Sequence, residues 1–125
     1  LLSFSQSTVN LIKYSNHETL KSYLVEEINN IMKFVSTFEI TKGFDRWLHL
    51  VDVELKEKLE KYGVKVHFAC ANDDETRVYD MSEIDDPSLV EAFMADEEVI
   101  KLRTEAGVNL SSAEVLSTVD KFKIW

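Results

Sequence analysis

The chain has 125 residues, of which 45% are hydrophobic and 30% are charged, and its formal net charge at pH 7 is −9. This length and composition are typical of one globular domain and leave no room for two. The negative charge argues against nucleic acid or an anionic membrane as a partner, because both attract clustered Lys and Arg. A single cysteine excludes an internal disulfide, and no apolar run is long enough to span a bilayer. We therefore expect a cytoplasmic protein.

Residues 1–31 differ from the rest of the chain. A helical pattern begins near Asn16, and one apolar stripe follows it. The members of the stripe are Leu20, Leu24, Ile28 and Ile31. This segment is a poor signal peptide, and Met32 directly precedes the first predicted strand. Two interpretations stay open: residues 1–31 form a helical arm that packs on a neighbour, or they are not native to the protein. The predicted domain covers residues 32–125.

A strand over residues 33–40 and a long helix over residues 44–62 are the first predicted elements of this domain. Hydrophobic and polar side chains alternate along the strand, as on the two faces of a sheet. One face has Phe34, Phe38 and Ile40, and the other has Val35, Thr37 and Glu39. The helix carries an apolar stripe, and Gly63 supplies the left-handed residue that ends it. The stripe consists of Phe44, Trp47, Leu48, Val51, Leu55 and Leu59.

A hairpin and a second helix follow. The two strands of the hairpin cover residues 64–71 and 76–82 and are joined by an Asn/Asp-rich turn. Alternation along the first of these strands predicts two faces. One face has Val64, Val66, Phe68 and Cys70, and the other has Lys65, His67, Ala69 and Ala71. The second helix begins at Asp86 before Pro87, and Asp96 can cap a second segment that ends at Gly107. The last strand is expected within residues 114–124.

The resulting order, βαββαβ, predicts a ferredoxin-like α+β fold with a four-stranded antiparallel sheet and both helices on one face. The opposite face would carry side chains that are too apolar for free exposure. These are Val35, Thr37, His67, Ala69, Tyr79 and Met81. Two such faces packed together form a dimeric α/β barrel, so we expect an isologous homodimer.

Three stretches carry a family resemblance: residues 38–47 (FEITKGFDRW), 93–98 (FMADEE) and 105–108 (EAGV). They resemble the dimeric α/β-barrel superfamily, which includes antibiotic-biosynthesis-monooxygenase-like and muconolactone-isomerase-like proteins. More narrowly, they resemble short marine bacterial proteins of that fold. The resemblance covers residues 32–125 and implies topology and dimerisation more than chemistry. Haem-binding branches supply a His from the second helix region, whereas this second helix has none.

The candidate catalytic residues are His67, Tyr79 and Arg77. His67 on a barrel-facing strand position can act as a general base or a hydrogen-bond donor, with Tyr79 and Arg77 on the neighbouring strand. Candidate ligand contacts are Thr37, Glu39 and Trp47. The simpler interpretation is that they are cross-strand partners or rim residues, with Trp47 a core residue.

Two functions remain in view. The first is a homodimer that binds or transforms a small hydrophobic metabolite without a cofactor, in a cleft between sheet and helices. The second is a non-catalytic dimerisation module with a filled core. The histidines lack metal-ligand spacing, so no metal is expected. Cys70 has no basic residue near it in sequence and is expected to be a buried, inert thiol.

Overall fold

The computed structural model describes residues 31–125, and the predicted helix after Asn16 lies outside them. Four strands and two groups of helices follow one another in the predicted order. The first helical layer comes after the first strand, and the second helical layer comes after the third strand. The strands are β1 (Met32–Ile40), β2 (Val64–Ala71), β3 (Arg77–Ile84) and β4 (Val108–Val119). The helices are α1 (Phe44–His49), α2 (Lys56–Tyr62), α3 (Val90–Ala95) and α4 (Glu97–Glu105), with a π-helical segment at Leu50–Glu54 and a 3₁₀ turn at Pro87–Leu89.

The sheet has the order β2-β3-β1-β4, and every neighbouring pair is antiparallel. Each of the two crossovers passes over one inserted strand, which is the ferredoxin-like α+β arrangement that the sequence predicts. The helices cover one face of this sheet. There Phe38 and Val78 pack against Trp47, Leu50 and the other members of a buried apolar core. We call the opposite face the open face.

The first helical layer contains a π-helical turn that the apolar stripe did not predict. The Leu55 amide donates to the Leu50 carbonyl at 2.7 Å, five residues back, so one extra residue is wound into this turn. The insertion rotates Leu50 into the core, where it is 1% exposed. Trp47 and Leu55 of the predicted stripe are buried as well, and Gly63 ends the layer at φ 67° as predicted.

Strand β2 has the predicted bounds but not the predicted faces. Its register against β3 shifts by one residue between Val66 and Phe68. A one-residue bulge exchanges the two faces of every residue beyond it. Ala69 therefore packs against the core, while Phe68 and Cys70 lie on the open face. The prediction of a buried Cys70 is wrong for this reason, because the thiol is exposed.

The last strand begins earlier than its predicted limit of residue 114 and ends earlier than residue 124. Opposite β1, Thr37 pairs with Glu114 whereas Glu39 pairs with Asn109, so residues 110–113 bulge against a single residue. Ser112 supports the bulge by accepting the Glu39 amide at 2.8 Å. The bulge interrupts the alternation that marks a strand, which explains why the sequence obscured its start.

The second helical layer is interrupted at Asp96, as predicted. The Asp96 carboxylate accepts the amides of Glu98 and Val99 and so caps α4. It also accepts from Lys58 Nζ at 2.9 Å and from the Tyr62 hydroxyl at 2.8 Å. This one carboxylate therefore ties α2 to α4. None of the helices within residues 31–125 is long and apolar enough to cross a membrane.

We expect Asp96→Asn to destabilise the domain in a pH-dependent way. The hydrogen bond from Lys58, followed by that from Tyr62, holds the pKa of Asp96 well below its usual range. Its stabilising effect is therefore present above the unfolded-state value of 3.8 and is lost as the pH falls below it. At pH 7 the variant should lower Tm by about 5 °C, because Asn keeps the cap but loses the charge-assisted contact.

The control for this prediction is Asp86→Asn. Asp86 caps the 3₁₀ turn by accepting the Ser88 amide and hydroxyl. Asn caps about as well as Asp, so this variant should melt like wild type at pH 7. Thermal melts followed by circular dichroism from pH 7 to pH 3 test both variants. A Tm difference for Asp96→Asn that persists unchanged at pH 3 would contradict the ion-pair account.

Candidate functional site

The open face consists of four rows of side chains that the strand registers align. Lys65, Glu83 and Lys33 form the first row, and Phe68, Met81 and Val35 form the second. Cys70, Tyr79 and Thr37 form the third, and Arg77, Glu39 and Asn109 form the fourth. The two middle rows carry most of the apolar side chains, and on β4 they continue to Ser117 and Glu114; the two outer rows carry the other charges.

The middle rows form an apolar band. Phe68 is 56% exposed and Tyr79 is 39% exposed, and Val35 and Met81 are half-buried. The β2 bulge is what brings Phe68 here, so the band is more apolar than the sequence indicated. Of the six residues predicted for this face, only Ala69 lies on the other side.

Arg77 organises one end of the band. Its guanidinium donates to Thr37 Oγ1 and to Glu39 Oε1, each at 3.2 Å. Thr37 is buried and donates in turn to the Val78 carbonyl at 2.9 Å. Arg77, Thr37 and Glu39 therefore form one connected cluster, and Tyr79 lies directly beside it as the cross-strand partner of Thr37.

His67 lies at the other end of the band. Its Nε2 is 2.9 Å from Oε1 of Glu83, a carboxylate that is only 7% exposed. The hydrogen bond with His67 holds the pKa of Glu83 below its usual range, against the effect of burial. The ring of Phe122 packs over the imidazole at a centroid distance of 5.7 Å. The segment after β4 therefore reaches across the open face to β2.

The structure separates the predicted catalytic residues into two groups. Arg77 and Glu83 are six residues apart on β3, which corresponds to about 20 Å along a strand. Arg77 and Tyr79 are neighbours on this face, whereas His67 acts with Glu83 at the far end. Trp47 joins neither group, because it is 4% exposed in the core beneath the sheet. Its ring lies 5.6 Å from that of Phe38 and 5.8 Å from that of Phe44, measured between centroids.

A third polar group, on the helix-facing side of the sheet, was missed by the sequence analysis. Ser36 and Asp80 are cross-strand partners, and the Ser36 hydroxyl donates to the Asp80 carboxylate. Asp80 and Ser82 are both buried, at 7% and 4% exposed. Burial raises the pKa of Asp80, although Ser36 and the charge of Arg103 act against this rise. The available signal was polar residues at strand positions whose neighbours, such as Phe38 and Val78, are core residues.

No metal centre is apparent in the part of the chain that the structure describes, where no three His, Cys, Asp or Glu side chains group in a way that could hold an ion. The polar groups described above are a guanidinium, a phenol, an imidazole–carboxylate pair and a buried carboxyl. These groups can orient a polar substituent of a ligand and can transfer protons.

The fold defines the class of this protein as a ferredoxin-like α+β domain. No protein-family model and no curated protein matches the chain. Among solved structures it is similar to a structural-genomics protein called YJCS, with 12% identity and a TM-score of 0.48 over 74% of this chain and 99% of that one. It is also similar to a candidate antibiotic biosynthesis monooxygenase from Bacteroides thetaiotaomicron, with 20% identity and a TM-score of 0.42. That alignment covers 78% of this chain and 93% of the other.

Proposed function

We propose that this protein is a homodimer whose two open faces pack together and enclose a small hydrophobic molecule. The observation that carries the proposal is the apolar band of Val35, Met81, Phe68 and Tyr79 between two charged rows. An apolar centre with a polar rim is the usual anatomy of a protein interface, and an exposed apolar surface of this kind favours burial.

The charges at the ends of the band favour a second copy of this chain as the partner. Each end row carries both signs, Lys65 with Glu83 and Arg77 with Glu39. A copy related by a two-fold axis presents the same rows in reverse, so the exposed Lys65 of one copy can approach the exposed Glu39 of the other. Thr37 lies between these ends with its hydroxyl already bonded, so it adds no unsatisfied donor to the interface.

The polar side chains that border the band give the enclosed space its selectivity. Arg77 and the Tyr79 hydroxyl would bind a polar substituent at one end, with Glu39 and Thr37 holding the guanidinium in place. His67, paired with Glu83, supplies a proton donor or acceptor at the other end. This arrangement needs no cofactor. A reaction at this site would be a proton transfer on the bound molecule.

The test measures the solution mass of the full chain by size-exclusion chromatography with light scattering. We expect twice the chain mass of 14.4 kDa for wild type. Val35→Glu places a charge in the centre of the band and should give a monomer. Val53→Glu makes the same change at a 59% exposed position of the π-helical segment and should remain a dimer. A monomeric wild type, or equal behaviour of the two variants, would refute the dimer.

Ligand binding is tested on the same proteins with N-phenyl-1-naphthylamine, a neutral apolar fluorophore. The dimer should bind it saturably, and Val35→Glu should abolish this binding while Val53→Glu preserves it. Tyr79→Phe and Arg77→Gln should weaken the binding of probes that carry a polar substituent. A dimer that binds no probe would instead be a dimerisation module with a filled interior.

A further inference from the structure

The segment after β4 covers one end of the open face. Strand β4 ends at Val119, opposite Lys33 on β1, at one edge of the sheet. His67 lies on β2 at the other edge, and the ring of Phe122 packs on its imidazole at a centroid distance of 5.7 Å. Three strand spacings of about 4.8 Å separate β4 from β2, so the chain must cross over β1 and β3 to make this contact. We call residues 120–125 the strap.

The strap lies over two polar side chains on a face that no helix covers. Glu83 is only 7% exposed although it faces away from the helices, and the side chain of His67 is 26% exposed. Glu83 accepts from His67 Nε2 at 2.9 Å, and Phe122 lies on the ring that makes this bond. The three side chains therefore form a stack, and Phe122, which is 44% exposed, is its outer layer.

One aromatic contact joins the strap to β2. In the described part of the chain, no backbone hydrogen bond outside the strands and no ion pair involves residues 120–125. Lys123 lies over the ring of Trp125, 5.2 Å from its centroid, which is a contact within the strap itself. Attachment through one half-exposed ring costs little to break, so the strap can leave the sheet while the domain stays folded.

The strap covers the imidazole that the proposed function uses for proton transfer. The hydrogen bond with His67 holds the pKa of Glu83 below its usual range, so this carboxylate is ionised at neutral pH. A carboxylate only accepts hydrogen bonds, so His67 Nε2 carries a proton and Nδ1 has the lone pair of the neutral ring. Paired aromatic rings have centroids about 4.5–7 Å apart, which leaves no room for another ring between His67 and Phe122. A ligand ring reaches this side of the imidazole only when Phe122 leaves.

We propose that the strap is an internal competitor for the His67 end of the open face, where Phe122 takes the place of an aromatic group of the ligand. A ligand with such a group displaces Phe122 and contacts the imidazole. Without it, the strap keeps the proton-transfer group covered and lowers the apparent affinity by the fraction of molecules that are closed. The group is a neutral ring, because the Glu83 carboxylate disfavours an anion beside it. This inference rests on the proposed function, which gives the face its ligand.

Reaction of the full chain with diethyl pyrocarbonate, followed by peptide mass spectrometry, measures the cover on His67. His49 is exposed and serves as the reference within the same molecule. In wild type His67 should react more slowly than His49, and Phe122→Ala should accelerate it about two- to tenfold, the factor that one aromatic contact contributes to an opening equilibrium. Trp125→Ala removes a larger, 97% exposed ring from the same segment and should leave the rate unchanged. Equal rates for His67 in wild type and Phe122→Ala would overturn the strap.

Binding of N-phenyl-1-naphthylamine tests the competition, because this probe is neutral and aromatic. Phe122→Ala should bind it about two- to tenfold more tightly than wild type, since no closed state remains to compete. Trp125→Ala should bind it like wild type. Weaker binding by Phe122→Ala would make Phe122 part of the binding site instead. That result, equal binding, or no binding by either protein would overturn the competition.

The Val35→Glu variant separates this proposal from the proposed function. The strap contact lies within one chain, so Phe122→Ala should accelerate the reaction of His67 by the same factor in the monomer that we expect from Val35→Glu. A monomeric wild type would refute the proposed dimer and leave this acceleration in place. A dimer in which Phe122→Ala changes neither the rate nor the probe affinity would refute the strap and leave the dimer standing.

Discussion

Trp47→Ala is expected to lower the free energy of unfolding by about 3–5 kcal/mol, the largest effect of any single truncation that we predict. Trp47 is 4% exposed and packs against Phe38 from the sheet and Phe44 from its own helix. Its removal leaves a cavity that these neighbours cannot fill, because strand and helix are both held by backbone hydrogen bonds. The total free energy of unfolding of a domain of this size is only about 5–15 kcal/mol, so the variant should be partly unfolded at 37 °C.

Urea denaturation followed by far-ultraviolet circular dichroism measures this effect, with Trp125→Ala as the control. The same side chain is removed, but Trp125 is 97% exposed, and its loss should change the unfolding free energy by less than about 0.5 kcal/mol. Similar denaturation midpoints for the two variants would show that Trp47 is not a core residue. Trp47→Phe preserves most of the packing, so any loss of probe binding in that variant would indicate a ligand contact instead.

The position of Trp47 also shows what the sequence could predict. Strand β1 and the first helical layer have long apolar patterns with one period each, and the change of period between them marks the boundary. The helix caps at Asp86 and Asp96 could be predicted equally well, because each Asp side chain accepts a backbone amide of the turn that follows it. The order and type of the secondary-structure elements follow from such local signals, and the topology of the sheet follows from them together with the handedness of crossovers.

Local irregularities of one to a few residues account for the incorrect assignments. A π-helical turn adds one residue to the first helical layer and buries Leu50, which the ideal period had placed off the stripe. A bulge in β2 exposes Cys70 on the open face, and a wider one hides the start of β4. Each irregularity depends on tertiary packing and costs little locally, so no residue in the sequence marks it.

The candidate sites also differ in how far the sequence could predict them. Arg77, Thr37 and Glu39 could be grouped from the sequence because cross-strand neighbours follow from the hairpin and the strand order. The burial of Asp80 beside Ser36 could not, because it depends on the tertiary packing over the centre of the sheet. Polar residues at core-facing strand positions were the only visible sign of it.

Gly107→Ala is expected to destabilise the domain by about 2–4 kcal/mol, from backbone strain and a steric clash together. Gly107 has φ 88°, in the left-handed region that an alanine adopts only at a cost. A Cβ at this position would lie 2.8 Å from Thr41 Oγ1 and 3.0 Å from the Lys42 amide nitrogen. The Thr41 amide donates to the Gly107 carbonyl at 2.9 Å, so the clash falls on the contact that joins the end of α4 to the end of β1.

Gly63→Ala is the matched control, because Gly63 also has a positive φ, 67°, and also follows a helix. Its nearest neighbour is the Asp85 carboxylate at 3.0 Å, a side-chain group that can rotate away. Only the conformational cost then remains, about 1 kcal/mol. Urea denaturation of both variants should give a lower midpoint for Gly107→Ala. Equal midpoints would show that the β1–α4 contact yields to a methyl group, and that the end of α4 is less rigidly held than this packing indicates.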